Sequence, residues 1–365
     1  MRNPDISIVI PSFNQGQYIE RTLLSILKQE YPGKLEVIVS DGGSTDNTVD
    51  ILKKYDKQIT WWSEKDSGYA DAVNKGFRKA SGEIYAIQSS DDYYLKNVFL
   101  NIIESFCQHP NASLICGREV LQNPDGYVFG GYILPEIISP RSFLLDHPFP
   151  GIFQHTTFFQ KKFYEKVSGM RSQFDMCADA DLYYRILHLG NGYFLNEYTG
   201  VYQRHDSQRT RMHVKKFEGQ ILNMVTSCKN DSYYNEFYSI SDEDFFLFNS
   251  FINLFYLQFT NIENAQLKAK EVVNNSIFDE RTKNLALQIL QTNKIKENKA
   301  SLESYRKFGR ILNHLFKKYI LKNKYHSAIN ENIPFRDIIN ADWWQNGNPD
   351  SEQFSDIRIQ TTPEF

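Results

Sequence analysis

Two adjacent carboxylates are the residues of this sequence whose types and spacing most directly imply chemistry. Asp91 and Asp92 end the stretch "QSSDD" (88–92), directly after the apolar run "IYAI" (84–87). Protein sites for Mg²⁺ and Mn²⁺ commonly use one or two carboxylates, and phosphate oxygens of a substrate complete the shell. The sequence contains no G-x-x-x-x-G-K-[ST] phosphate loop, which argues against an ATPase of that class. The pair therefore indicates a nucleoside diphosphate bound through a divalent ion.

A structural interpretation of the same pair stays open. The next segment, "YYLKNVFLNIIESF", has helical spacing, and an aspartate in front of a helix caps its first turn and interacts favourably with its dipole. Capping needs one short polar side chain, however, whereas "SSDD" offers four.

Polar residues also follow two other apolar runs, in "PSFN" (11–14) and "SDGGSTDNT" (40–48). Ligands of open α/β sheets bind beyond the carboxyl ends of the strands, so Asp41 and Asp91 are expected to face one crevice. Phe13 and Asp41 suit a nucleobase there, because a carboxylate accepts the imide N–H of uracil.

The segments that position these residues alternate between the hydrophobic periodicity of β-strands and that of α-helices. Segments of helical spacing separate five β-type runs, at 6–10, 35–39, 59–62, 84–87 and 113–116. Strands that alternate with helices predict a parallel α/β sheet with right-handed crossovers over residues 1 to about 120.

Three stretches resemble the family 2 glycosyltransferases with the GT-A fold, particularly bacterial enzymes that build surface polysaccharides. They are "SIVIPSFNQGQYIERTLLSILKQEYPGKLEVIVSDGGSTDNTVDIL", "SEKDSGYADAVNKGFRKASGEIYAIQSSDD" and "ADADLYYRI". The resemblance covers residues 5 to about 210 and is absent after about 215. It implies a Rossmann-like, mostly parallel sheet flanked by helices, and an inverting transferase that takes a sugar from a nucleotide-diphosphate donor, most simply UDP-linked.

The resemblance also assigns the donor site. The residues expected around the nucleotide sugar are Pro11, Ser12, Phe13, Asp41, Asp66, Asp71 and Ser90. The positions of the family's Asp-x-Asp motif read Ser89-Ser90-Asp91 here, followed by Asp92, so only the last carboxylate of the motif is kept. Asp91 is expected to reach Mn²⁺ or Mg²⁺, and the loss at Ser89 puts an obligatory metal in doubt.

The same comparison places the catalytic base in "CADADLYYRI" (177–186). An inverting transfer needs a base that takes the proton of the acceptor hydroxyl. Asp179 stands at the base position, with Ala178 in place of the family's glutamate. The alternative is that Asp179 and Asp181, two residues further on, both cap the following helix. Of the two, we assign the capping role to Asp181.

Two histidines each have two interpretations. His155 is either a donor to the sugar or phosphate or a satisfied core residue. His205 resembles a late histidine that reaches the metal or the diphosphate in some GT-A enzymes. With Arg204, Arg209 and Arg211, it forms either a basic lid over the diphosphate or a solvated charged turn.

Composition narrows the class of protein. The formal net charge of the 365 residues is −3, which does not favour a nucleic-acid partner. The four cysteines are far apart and have no metal spacing, which is typical of a reducing cytosol. The apolar run near the N-terminus is too short for a signal peptide or a membrane span. These features predict a cytoplasmic protein.

The predicted domains are a catalytic domain over 1–214, a helical region over 215–345 and a tail over 346–365. Within the catalytic domain, residues 1–117 are predicted to bind the nucleotide sugar. Residues 118–214 are predicted to bind the acceptor, which is a glycan or a lipid-linked saccharide. The helical region either packs on the catalytic domain or mediates self-association. Residues 306–325 contain seven Lys or Arg and no acid. They form either a peripheral contact with the inner face of the membrane or a core helix with a basic solvated face.

Two other functions stay open at this point. A sugar nucleotidyltransferase shares a similar α/β core, but "PSFNQGQYIERT" (11–22) lacks the Gly-rich basic loop of that class. A catalytically inactive scaffold at the membrane surface is supported only by Ser89 and Ala178, which replace acids of the family motifs.

Overall fold

The computed structural model describes residues 3–122, 127–130, 137–138 and 152–213, together with isolated positions beyond 215 and the pair 358–359. The chain divides into two compact units, and all site residues discussed below, through Arg209, belong to one of them.

A single sheet positions the site, and the described residues contribute eleven strands to it. The strands are β1 (Ile6–Ser12), β2 (Leu35–Asp41), β3 (Thr60–Ser63), β4 (Ile84–Ile87), β5 (Tyr93–Tyr94), β6 (Leu114–Gln122), β7 (Tyr127–Gly130), β8 (Ile137–Ile138), β9 (Thr157–Gln160), β10 (Gly192–Gln203) and β11 (Arg358–Ile359). The main path runs β11-β7-β6-β9-β4-β1-β2-β3, and β10 pairs with β5, β6 and β8. All five predicted runs are strands.

Helices connect these strands, as the alternating periods predict. They are α1 (Ile19–Leu27), α2 (Thr48–Lys54), α3 (Tyr69–Lys79), α4 (Val98–Gln108), α5 (Lys161–Lys166), α6 (Ala178–Leu187) and α7 (Arg209–Met212). The apolar face of α1 is fully buried at Ile19, Leu23 and Ile26. Burial of this face against the sheet, rather than helix propensity, is what stabilises such a short helix.

The strand register brings the polar loops to one edge. Strand β1 is parallel to both β2 and β4, with Ser12 opposite Asp41 and Val9 opposite Ile87. Asp41 is in turn opposite Ser63 of β3. The carboxyl ends of the four strands therefore meet, and the predicted crevice lies at this edge.

The sheet is less regular than the sequence predicts, because β9 enters its centre. This strand runs antiparallel to both β4 and β6 and separates them. Phe158 and Phe159 are fully buried, one on each face of the sheet, which explains why an apolar strand from the acceptor part is stable at this position.

The prediction that Asp91 or Asp92 caps the next helix is wrong. Helix α4 begins at Val98, and its N-cap is Asn97, in a left-handed conformation with φ 56° and without a side-chain cap. Strand β5, which pairs antiparallel with β10, stands between the aspartates and the helix.

The C-terminal predictions lie almost entirely outside the described residues. Lys216 and Met224 are helical, and the basic segment 306–325 is not among the residues described. Two residues of the predicted tail form β11, which pairs in parallel with β7. Among the described residues, no helix has the length and apolar character that crossing a membrane requires.

Candidate active site

The two adjacent aspartates point in opposite directions. Asp91 faces the crevice, where its Oδ2 lies 2.9 Å from Nε2 of His205, and its side chain keeps 17% exposure. Asp92 is turned inward and is 2% exposed, and its Oδ1 accepts a hydrogen bond from the backbone N–H of Gln203 at 2.9 Å. Asp91 is thus the one of the two whose side chain a ligand can reach, and Asp92 is held inside the protein.

Asp91 and His205, the two residues predicted to bind the metal, lie together although 114 positions separate them, and metal binding by this pair stays a prediction. The His205 ring stacks on Tyr18 at 4.4 Å between centroids, and its Nδ1 is 2.8 Å from the hydroxyl of Ser207. These contacts fix the plane of the imidazole and leave Nε2 directed at the carboxylate.

The side chains of Asp91 and His205 are suitable ligands for a divalent ion that a substrate also coordinates. Among the described residues, no group of three or more His, Cys, Asp or Glu side chains is arranged to hold a metal. The protein ligands that this site can provide are therefore one carboxylate and one imidazole. Mn²⁺ binds to such a pair when diphosphate oxygens occupy its remaining coordination positions.

Ser89, at the motif position that lacks its carboxylate, has a local structural role. Its hydroxyl donates to Oε1 of Gln154 at 2.9 Å, and Nε2 of Gln154 donates to the carbonyl of Ile87 at 2.8 Å. These bonds tie the turn to the end of β4. Ser90 is 6% exposed, and its predicted contact with the donor stays a prediction.

Asp41 is engaged by its own loop. Its Oδ2 accepts bonds from the N–H of Ser44 at 2.8 Å and the hydroxyl of Ser63 at 2.6 Å, and its Oδ1 accepts the Ser44 hydroxyl at 2.5 Å. The residue is 1% exposed. The carboxylate thus shapes the loop, and its predicted contact with a nucleobase is untested.

The exposed ring of Phe13 lies beside Gly42 and Asp66. Phe13 is 58% exposed, which is unusual for a phenylalanine and leaves a flat apolar surface for a ligand. A Cβ at Gly42 would lie 2.8 Å from Oδ2 of Asp66 and 3.5 Å from the Phe13 ring. Oδ1 of Asp66 accepts the N–H of Gly68 at 2.9 Å.

We expect Gly42→Ala to weaken UDP binding about tenfold without a large change in melting temperature. The added methyl group displaces the end of the Asp66 side chain, which is flexible, so the fold tolerates it while the ligand surface changes. Calorimetric titration of UDP measures the effect. Gly33→Ala, at the opposite end of β2, is the matched control, and an equal loss in both variants would contradict this role of Gly42.

Three other predicted donor residues are also at this edge. Ser12 is 5% exposed, and its hydroxyl has no hydrogen-bond partner among the described residues. Pro11, beside it in β1, is half-buried. Asp71 accepts the N–H of Ser67 at 3.1 Å, and this bond lowers its pKa. Asp71 therefore fixes the start of α3, and donor contacts of all three stay predictions.

Asp179 lies in the first turn of α6 and is partly buried. Burial raises its pKa, and the backbone N–H groups of Ala180 and Asp179 lower it in part. A higher pKa makes the carboxylate a stronger base, which is the change that proton abstraction from a hydroxyl needs. Its role as the base stays a prediction.

Asp181 does not cap the helix, contrary to the prediction. Its side chain has no exposure and forms ion pairs with Arg171 and with the fully buried Arg185, whose Nη2 is 2.8 Å from Oδ2. Arg185 also donates to the carbonyls of Val167 and Gly169 at 2.6 and 2.8 Å. Asp181 is structural because it neutralises a buried cation.

Asp175 and Tyr69 are site residues that the sequence interpretation missed. Asp175 pairs with Arg209, a member of the predicted basic lid. The Arg209 guanidinium lies 5.6 Å from the centre of the Tyr69 ring. Burial raises the pKa of Tyr69, and the charge of Asp179 adds to the increase. The position of Asp175, four residues before Asp179, was the available signal.

His155 is buried but is not a satisfied core residue. Its Nε2 has no hydrogen bond among the described residues and lies 3.4 Å from Oε2 of Glu119, while its Nδ1 is 3.9 Å from Oδ2 of Asp92. Burial raises the pKa of Glu119 to about 8 and lowers the pKa of His155 to about 3. His155 thus lies between two buried acids and not at the surface of the crevice.

We expect the free energy of unfolding to fall as the pH rises from about 6.5 to about 8. Glu119 keeps its proton in this range only in the folded protein, so a higher pH favours the unfolded state. The opposite effect of His155 ends near its unfolded pKa of 6.5. Urea unfolding should show a decline of roughly 1–2 kcal/mol, which Glu119→Gln reduces. An undiminished decline in the variant would contradict the assignment.

Comparison with known proteins agrees with this fold. Residues 7–168 match the model of glycosyl transferase family 2. The hyaluronan synthase of Pasteurella multocida is 25% identical over 259 residues, which are 68% of this chain and 26% of that protein. The chain thus spans about a quarter of this relative.

Two solved structures share the fold. Residues 1–349 of S. aureus TarS in complex with UDP-GlcNAc give a TM-score of 0.53 at 15% identity, covering 89% of this chain and 93% of that one. The mannosyltransferase PcManGT from Pyrobaculum calidifontis, in complex with GDP-Man and Mn²⁺, gives 0.53 at 16% identity and 89% coverage of both chains. The sheet is therefore that of the GT-A glycosyltransferases. The match to glycosyl transferase family 2 includes Asp91 and ends before Asp179 and His205.

Proposed function

We propose that this protein is an inverting glycosyltransferase of bacterial polysaccharide biosynthesis that moves a sugar from a UDP-linked donor to a saccharide or lipid-linked saccharide. The observation that carries the proposal is the pairing of Asp91 with His205 at the edge where β1, β2 and β4 end. Two segments far apart in sequence meet there as a carboxylate–imidazole pair suited to a metal-bound diphosphate.

The proposed chemistry divides between the two ends of the site. Asp91 and His205 would hold Mn²⁺ or Mg²⁺, which when bound neutralises negative charge on the leaving diphosphate. Asp179 takes the proton of the acceptor hydroxyl as that oxygen forms its bond to the anomeric carbon. The bond between this carbon and the diphosphate breaks on the opposite face. Burial of Asp179 strengthens it as a base.

The donor class rests on the exposed Phe13 ring and on the relatives. TarS binds UDP-GlcNAc and PcManGT binds GDP-Man with Mn²⁺, so sugar nucleotides occupy this fold in both cases. We infer that UDP is the nucleotide because Oδ2 of Asp66 lies against Gly42 beside the Phe13 ring, where it can accept the imide N–H of uracil.

The site favours an enzyme over the inactive scaffold. Asp91 is hydrogen-bonded to His205, Asp179 occupies the position in the sequence predicted for the base, and Ser89 holds the turn through its bond to Gln154. No observation favours a nucleotidyltransferase. Contact with the inner face of the membrane through 306–325, a cytoplasmic location and self-association remain proposals that rest on the sequence.

The experiment that tests this function is a screen of UDP- and GDP-sugars for donor consumption, followed by proton NMR of the product. An inverting enzyme makes a β-linked product from an α-linked donor, which the coupling constant of the anomeric proton identifies. Retention of configuration, or no consumption of any sugar nucleotide with saccharide acceptors present, would contradict the proposal.

A further inference from the structure

Asp92 joins the two segments that carry the metal-binding pair. Asp92 directly follows Asp91, and the N–H that Asp92 binds belongs to Gln203, two residues before His205. One buried hydrogen bond of 2.9 Å therefore links the turn after β4 to the end of β10. We propose that Asp92 is a positioning residue that holds Asp91 and His205 at metal-binding distance. This inference rests on the proposed function.

The strand pairing explains why a side chain is needed here. Strand β10 pairs antiparallel with β5 only at Gly200 with Tyr94 and at Val201 with Tyr93. On its other edge β10 pairs with β6 as far as Gln203, and the following N–H of Arg204 donates to the carbonyl of Gln122. The N–H of Gln203 points away from β6, where β5 has ended, and the Asp92 carboxylate replaces the missing backbone acceptor.

Further bonds hold both segments on α1. The hydroxyl of Thr22 lies 2.9 Å from the carbonyl oxygen of Ser90 and 2.7 Å from that of Asp92. Arg21, the preceding residue, donates from Nη1 to Oε1 of Gln203 at 2.7 Å. With the turn and the strand end both fixed to one helix, the Asp92 bond sets their separation, and hence the separation of Asp91 from His205.

The contact needs an acceptor of this shape and not a negative charge. Asp92 is 2% exposed, so water cannot replace its Oδ1 if the side chain is shortened. Asparagine keeps an acceptor oxygen at the same position, whereas alanine leaves the N–H of Gln203 buried without a partner. Asp92→Asn should preserve the pair, and Asp92→Ala should separate it.

The test is a titration of Mn²⁺ in the presence of UDP, followed by the electron paramagnetic resonance signal of the free ion. Asp91→Ala should abolish binding of Mn²⁺, and Asp92→Ala should raise its Kd by about 10- to 100-fold. Asp92→Asn should stay within about threefold of the wild type. Glu119→Ala is the matched control, because it removes another buried acid beside His155 and should leave the Kd unchanged.

A second pair of variants keeps the test decisive if Asp92→Ala does not fold. Gln203→Pro removes the donor N–H, whereas Gln203→Ala keeps it. Both variants lose the bond between Arg21 and the Gln203 side chain, so their difference reports on the N–H alone. The proline variant should have a Kd for Mn²⁺ about tenfold above that of the alanine variant, and combining it with Asp92→Asn should add little.

The outcomes separate the two proposals. If the wild type binds no Mn²⁺ with UDP, the metal site at Asp91 and His205 is overturned together with the positioning role, and the donor screen alone decides the proposed function. If the wild type binds and Asp91→Ala does not, but Asp92→Ala matches the wild type, only the positioning role fails. If Glu119→Ala and Asp92→Ala weakened Mn²⁺ binding equally, the positioning role would also be overturned. The loss would then follow from removing any buried acid and not from the bond between Asp92 and Gln203.

Discussion

Asp179→Asn is expected to lower the rate of sugar transfer about 10²- to 10⁴-fold while UDP binding stays within about threefold of the wild type. The amide has nearly the same shape as the carboxylate but cannot accept the proton of the acceptor hydroxyl. In the proposed site the donor is held by residues around Phe13 and Asp91, which this substitution does not change. The measurements are the rate of donor consumption under saturating donor and the calorimetric Kd for UDP.

The pH profile supplies an independent check on Asp179. Because burial raises its pKa, the rate should rise with pH on the acid side until the carboxylate is ionised. In Asp179→Asn this rise should disappear from whatever activity is left. Full activity in the variant, or an unchanged acid limb, would remove Asp179 from the mechanism.

Asp181→Asn should destabilise the fold far more than Asp179→Asn does, although the two residues are neighbours on α6. Removing the charge leaves Arg185, which has no exposure, without its carboxylate partner. Loss of one member of a buried ion pair typically costs about 3–5 kcal/mol. Thermal and urea unfolding of the two variants, measured side by side, test the difference.

The two aspartate variants also discriminate between the roles assigned to them. Asp179→Asn should be stable and inactive, and Asp181→Asn should be unstable, with activity lost in proportion to folded protein. If Asp181→Asn kept the wild-type melting temperature but lost transfer, Asp181 would be the base and the assignment would be reversed.

The parallel half of the fold could be predicted because its signals are local. Apolar runs such as those of β1 and β2 are short and bounded by polar loops, and α1 shows helical spacing of Ile19, Leu23 and Ile26. The position of β9 could not be predicted, because it depends on pairing with strands about 40 and 70 positions earlier. Hydrophobic periodicity predicts that a segment forms a strand, but it does not predict which strands lie next to it.

Some features of the candidate site were predicted from the sequence and others were not. The meeting of Asp91 with His205 was expected from the family resemblance and is present in the structure. The inward direction of Asp92 was not, since adjacent aspartates look equivalent in a sequence. The capping role given to Asp181 was wrong because Arg171 and Arg185 act on it through tertiary packing, which local spacing does not show.

The most direct test of the account is a calorimetric titration of UDP, GDP, CDP and dTDP into the purified protein, each with Mn²⁺ and with EDTA. The account predicts that UDP binds selectively, that EDTA removes the binding, and that Asp91→Ala removes it as well. If no nucleotide bound, or if Asp91→Ala bound UDP as tightly as the wild type with Mn²⁺ present, the metal-assisted sugar-nucleotide site proposed at Asp91 and His205 would be contradicted.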